Sequence, residues 1–312
     1  MELAGRVAVI VGGSRGLGLE IARQLVDRDV RLAICARDEA ELASARQDLE
    51  RRLPVDLHVG ACDNTDPQQV AGFIEDVRRR LGPVDLLLNV AGIITVGPFD
   101  TLGREAFEES FATHVSGPLE FIRAVLPDMR RSSAGRIVNI GSIGGKVPVP
   151  HLAAYVASKH ALVGLSETLR AELASENIYV TTVNPGLMRT GSPWHARFMG
   201  DPQAEFAWFG ALDNLPGLSI SPRIMARGII DAMEHGDAEL TSPWTARAAA
   251  SFHGLFGGLG TELAALQARL LPQGTRVSEG EAPVKGWDAD VGQMPGALRR
   301  RQAGSAARYN EA

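Results

Sequence analysis

The sequence predicts an α/β fold: a doubly wound parallel sheet in a single domain with a C-terminal extension. Short β-branched runs, apolar on both faces, recur along the chain, as strands covered on both sides must be. Helical patterns separate them, and this alternation implies right-handed crossovers between parallel strands. The rhythm stops after residue 186, which marks where the repeated architecture ends.

RVAVIV (6–11) is the first strand, and a glycine-rich turn leads from it into a helix over 15–28. RLAIC (31–35) follows, and Asp38 stands where it can cap a helix over 39–53. DLHVGAC (56–62) comes before Asp66–Pro67, a cap and first-turn proline for a helix over 67–81. VDLLLNV (84–90), RIVNI (136–140) and IYVTTV (178–183) continue the sheet, with helices near 105–131 and 155–175 between them. Residues 191–220 hold Trp194, Phe198, Phe206, Trp208 and Phe209 without clear periodicity. Ser221–Pro222 starts another helix, and AELTSP (238–243) reads as a last strand. One domain over 1–243 is expected, then a helical extension over 244–273 and a flexible tail over 274–312.

Composition narrows the function. The mix of 45% hydrophobic and 22% charged residues is that of a soluble globular protein. A net charge of −5 argues against a dedicated nucleic-acid binder, which normally carries a basic excess. Cys35 and Cys62 lie in apolar, strand-like runs and read as reduced core residues, not as a disulfide or a metal site. MELAGRVAVIVGG lacks the regions of a signal peptide, and no uncharged apolar run reaches about 18 residues. A cytoplasmic protein without a membrane anchor is expected.

The first turn reads as a dinucleotide site. Gly12, Gly16 and Gly18 join the first strand to the first helix, where glycines allow a tight turn and let backbone amides approach a pyrophosphate. The phosphates then meet the positive helix N-terminus. The spacing is G-x-x-x-G-x-G, with Ser14, Arg15 and Leu17 inside it.

Gly12-x-x-x-Gly16-x-Gly18, Asn89-Val90-Ala91-Gly92, Ser142, Tyr155-x-x-x-Lys159 and Asn184-Pro185-Gly186 occur together in this order. Over roughly residues 4–192 the chain resembles the short-chain dehydrogenases/reductases, in the subgroup with a plain Rossmann-type core. The step of 13 residues from Ser142 to Tyr155 belongs to the resemblance.

Tyr155 and Lys159, four apart, share one helix face. Hydride transfer to a ketone leaves an alkoxide that needs a proton, and a Tyr hydroxyl can supply it. An ammonium one turn away favours the phenolate left behind. The resemblance implies that Lys159 also bonds the nicotinamide ribose and that Ser142 polarises the carbonyl oxygen. It further implies that Asn89 braces the central strands, with Ala91 and Gly92 beside the cofactor, although Val90 stands where the family often has a second Asn. Asp63 matches the adenine-contact position, or else begins an Asx turn. Pro185, Gly186 and Thr190 match nicotinamide contacts, with a simple turn as the alternative.

Cofactor choice turns on the end of the second strand. An acid there binds the ribose 2′-hydroxyl of NAD, whereas an Arg accommodates a 2′-phosphate. The sequence has Ala36 and Arg37, and its first acid, Asp38, fits a helix cap. With Arg15 in the turn, two guanidiniums favour NADP (NADPH) over NAD.

His114 departs from the family, which usually has Asn there. That Asn bends its helix so that a backbone carbonyl holds a water bonded to the Lys. His114 either takes over this role as a neutral imidazole or is a packed core histidine. The aromatics of 191–220 either line an apolar pocket or seal the core edge. Residues 245–271 are expected to fold back over that segment, with a dimer contact or a membrane-surface anchor as other readings. The run Arg299–Arg300–Arg301 reads as solvated. The leading function is NADP-dependent reduction of a moderately apolar ketone, or the reverse oxidation, by a homo-oligomer (dimer or tetramer). A 3-oxoacyl thioester reductase and a non-catalytic nucleotide-sensing protein are the alternatives.

Overall fold

A computed structural model describes residues 1–52, 54–213, 219–272, 282–289 and 303–311. Seven parallel strands form the central sheet: β1 (Val7–Val11), β2 (Arg31–Ala36), β3 (Leu57–Ala61), β4 (Leu86–Asn89), β5 (Gly135–Ile140), β6 (Ile178–Pro185) and β7 (Glu239–Ser242). Their spatial order is β7-β6-β5-β4-β1-β2-β3. The order reverses between β1 and β4, the switch point outside which open sheets of the Rossmann type bind ligands.

The pleat sends alternate side chains to opposite faces. Ala8, Ile10, Ile34, Leu86 and Leu88 point to the layer of α1 (Gly16–Val26), α2 (Glu39–Glu50) and α8 (Pro222–His235). Val7, Val9, Val11, Ala33, Leu87 and Ile137 point to α3 (Pro67–Arg80) and the helices after β4. Cys35 and Cys62 are buried free thiols.

The helix expected near 105–131 is interrupted. It consists of α4 (Arg104–Phe111), a π turn over Ala112–Ser116 and α5 (Gly117–Ser132), in which Gly117 N–H reaches back to Ala112 O. Pro118 supplies one cause, because it has no N–H to return to His114 O. α6 (Ala153–Leu173) then carries Tyr155 and Lys159 behind β5.

A smaller core sits beside the sheet. Thr95–Val96, Arg197–Phe198 and Val284–Lys285 form a three-stranded ribbon. Against it, Trp194, Phe198, Phe206 and Phe209 are buried with Leu152, the last two from α7 (Pro202–Asp213). The aromatics of this segment therefore mainly seal a core, and Trp208 and Tyr155 pack at its edge.

The C-terminal part differs from the expectation in two ways. α9 (Trp244–Leu255) and α10 (Gly257–Ala268) pack on each other, and α9 on β7, instead of folding over 191–213. Leu255, Leu259, Leu263, Leu266 and Leu270 stay exposed. α10 is mostly apolar, and Thr261, Glu262 and Gln267 do not form one polar stripe that would set which face is buried. Much of the stretch read as a tail, including Arg299–Arg301, lies outside the described residues. Residues 303–311, however, pack onto the sheet domain, with Ala306 and Tyr309 buried. Among the described residues no helix is long and apolar enough to cross a membrane.

Candidate active site

The glycine turn is compressed against the loop after β4. Gly12 has φ 82°, and a Cβ there would lie 2.7 Å from Ala91 N; a Cβ on Gly18 would lie 2.0 Å from Gly12 O. Only glycine fits either place. α1 starts at Gly16, so its first N–H groups have no helical partner and face outward. Gly16 N–H donates to Tyr309 O (2.8 Å), and Gly191 N–H to Glu311 Oε2 (2.6 Å). The Glu311 carboxylate, held by Gly191 N–H and with Oε1 3.0 Å from where a Cβ on Gly16 would lie, is a stand-in anion beside the start of α1, so the cradle suits a diphosphate.

The other residues expected at the cofactor fall into three groups. Ser14 and Arg15 are engaged by Glu41 of α2: Ser14 Oγ donates to Oε2 (2.8 Å), and the Arg15 guanidinium pairs with Oε1 (2.5 Å). Leu17 is buried in the core, whereas Arg37 is exposed at the end of β2. Asp38 caps α2 by accepting from Glu41 N (2.9 Å). Asp63 accepts from Thr65 N and Oγ1, an Asx turn. Its neighbour Asn64 donates to Thr113 O (2.9 Å) and ties this loop to the π turn.

Asn89 is hydrogen-bonded across the sheet. Its Nδ2 donates to Asn139 Oδ1 (2.8 Å), and Asn139 Nδ2 donates to Ser166 Oγ (2.8 Å), a buried chain from β4 through β5 to α6. Ala91 N–H is held by Val11 O, and Gly186 N–H, just past Pro185, by Ser242 O (2.7 Å). Thr190 is buried, with its hydroxyl donating to Ser192 Oγ (2.7 Å).

Ser142, Tyr155, Lys159 and His114 converge. A Cβ on Gly144 would lie 3.5 Å from Tyr155 Cε1 and 3.6 Å from Ser142 Oγ. Ser142 Oγ accepts from Gly144 N–H (3.1 Å), which leaves its own hydrogen to donate. Lys159 is buried; its Nζ donates to Ile140 O (2.7 Å) and lies 5.6 Å from the centroid of the Tyr155 ring. Burial alone pulls its pKa down to about 7.

His114 fills the π turn. Its Nε2 accepts from Ile93 N–H (3.1 Å), so the proton of the neutral ring lies on Nδ1 and goes to Ser158 Oγ (2.8 Å). Ser158 in turn donates to Tyr155 O (2.8 Å). Burial, then the Lys159 charge, hold the imidazole pKa well below its usual value. His114 thus links the loop after β4 to the helix carrying Tyr155, which its ring meets edge-on at 5.5 Å.

The short chain dehydrogenase profile matches residues 6–197. The chain belongs to the short-chain dehydrogenase/reductase family. Among relatives of this oxidoreductase family, the nominal ketoacyl reductase 1 of the granaticin polyketide synthase from Streptomyces violaceoruber is 37% identical over 186 residues, 59% of this chain and 68% of its own. A short-chain dehydrogenase structure from Streptomyces avermitilis superposes with TM-score 0.73 at 30% identity, covering 86% of this chain and 98% of that one. L-Sorbose reductase from Gluconobacter frateurii, solved with NADPH and L-sorbose, superposes with TM-score 0.67 at 25% identity, covering 78% and 97%.

Sequence reasoning missed Asn139, Ser158 and Glu41. Asn139 carried a signal, an amide inside an apolar strand that needs a buried partner. Ser158 and Glu41 did not, since their partners come from distant elements.

Proposed function

We propose that this chain catalyses reversible hydride transfer between NADP(H) and the ketone or secondary alcohol of a moderately apolar small molecule. The observation that carries the reading is the convergence of Tyr155, Ser142 and a buried Lys159 beside a glycine cradle that suits a diphosphate. The glycine turn, Arg37, Gly186, Thr190 and Gly191 would hold the dinucleotide, which supplies or takes the hydride when bound. Ser142 donates its free hydrogen to the carbonyl oxygen and draws charge toward it. Tyr155 passes its phenolic proton to that oxygen as the carbon–hydrogen bond forms, so the product is a neutral alcohol. Lys159 stabilises the phenolate, and proton return from solvent resets the tyrosine. The oxidation runs these steps backward.

The preference for NADP is supported by the end of β2. Asp38 accepts from Glu41 N–H as a helix cap, and Arg37 stands exposed at the strand end, where a 2′-phosphate would lie. NADPH in the sorbose reductase structure is consistent with this. Similarity to a nominal ketoacyl reductase favours a second reading, a 3-oxoacyl thioester as the carbonyl substrate. Both are tested by following NADPH absorbance with a panel of apolar ketones and 3-oxoacyl thioesters, then repeating with NADH. The expected result is NADPH consumption with apolar ketones, faster than with NADH. Faster turnover of thioesters moves the substrate to the second reading, and no consumption on any carbonyl overturns both.

A further inference from the structure

The cradle described above is held by the chain's own C-terminal end. Tyr309 O takes the Gly16 N–H, and the Glu311 carboxylate takes the Gly191 N–H. The Gly16 N–H is a donor that a diphosphate at the start of α1 would need, and Glu311 lies between it and Gly191. The fit is close: a Cβ on Gly16 would lie 3.0 Å from Glu311 Oε1, and one on Gly191 would lie 2.7 Å from Glu311 Cβ. Asn310 Nδ2 donates to Ser14 O (2.9 Å) and Glu41 O (3.1 Å), while Ser44 Oγ donates to its Oδ1 (2.9 Å). His195 Nε2–H donates to Glu311 O (3.2 Å), and Arg23 to Arg308 O (3.0 Å). These contacts run from the glycine turn across to α2, the path along which a dinucleotide's phosphates and adenosine would lie.

We infer that residues 303–311 are an autoinhibitory segment that competes with the dinucleotide for the glycine-turn cradle. The inference rests on the dinucleotide reading given above. Two occupants cannot share the Gly16 and Gly191 donors, so one must leave for the other to bind. The segment is tethered, so it competes at a concentration set by its attachment, not by the amount of protein. Burial pushes the Glu311 carboxyl up to about 7, and Glu41 adds to this, against the pull of the Gly191 N–H and Arg15, so the ionised form is disfavoured in the docked position.

The test is a NADPH binding titration by fluorescence, with no substrate present, on the full chain, a chain ending at Gln302, and Glu311→Ala. A segment docked about nine-tenths of the time weakens apparent NADPH affinity about tenfold, because only the open fraction binds. The shortened chain is therefore expected to bind about tenfold tighter, with Glu311→Ala between the two. A synthetic peptide AGSAARYNEA is expected to weaken NADPH binding to the shortened chain competitively, and a scrambled peptide to leave it unchanged. Equal affinities for all three chains, or weaker binding by the shortened one, overturn the inference alone. Failure of every chain to bind NADPH or NADH overturns the dinucleotide reading, and the inference with it.

Discussion

His114 is fixed by two hydrogen bonds that together decide its tautomer. Protonating Nε2 would break the bond from Ile93 N–H, and burial beside Lys159 opposes the added charge. His114→Leu would leave Ile93 N–H without its acceptor and remove the hydrogen bond that Ser158 Oγ accepts, so it is expected to cost about 1–3 kcal/mol in denaturant unfolding and to slow turnover. His114→Asn keeps an acceptor and is expected to retain most activity. A leucine variant with full stability and full turnover would reduce His114 to packing. The departure at 114 was legible because its neighbours fit the family pattern; the tautomer was not, because Ile93 and Ser158 meet the ring only in the folded chain. Lys159 sets a pH dependence. Its pKa is depressed to about 7, so the ammonium is present below that pH and lost above it. Because kcat/KM reports groups of the free enzyme, kcat/KM for NADPH in ketone reduction is expected to be level below about pH 7 and to fall above it. A profile flat through neutral pH contradicts a role for the ammonium.

At the scale of elements, α7 is pinned to the start of α6 by one buried carboxylate. Glu205 is fully buried; it accepts from Trp208 Nε1–H (2.6 Å) and pairs with His151 Nδ1 (2.8 Å). His151 holds φ 64°, an uncommon conformation for a non-glycine residue. Burial raises the Glu205 pKa, and the two hydrogen bonds oppose the rise. Glu205→Leu strands both donors, so a stability loss of about 1–3 kcal/mol is expected in thermal or denaturant unfolding, with a raised KM for the ketone. Glu205→Gln keeps an acceptor for Trp208 and is expected to do less harm. Equal effects of the two would mean that the carboxylate's partners do not matter. This arrangement was illegible in 191–220, because its aromatics pack on one another and on residues 94–96 and not along one helical stripe. The π turn was legible only in part: the resemblance implied a bend at position 114, but Pro118 signals a lost hydrogen bond without saying how the helix absorbs it.

At the scale of the whole molecule, the central sheet was legible from strand apolarity and from the turn that opens α1, since burial on both faces leaves a mark on every residue of a strand. The ends were not. The α9–α10 hairpin has ample apolar content but no periodicity to say what it covers. Residues 303–311 dock through backbone groups, one Asn and one Glu, with Ala306 and Tyr309 buried beside them, a pattern that composition does not reveal. The central claim is that Tyr155 delivers the proton in an NADP(H)-dependent reduction, and Tyr155→Phe tests it most directly because only the hydroxyl is removed. With a ketone that the wild type reduces, kcat is expected to fall about a hundred- to ten-thousandfold while NADPH binding, titrated separately, is retained. A phenylalanine variant with near wild-type kcat on that ketone would contradict the claim.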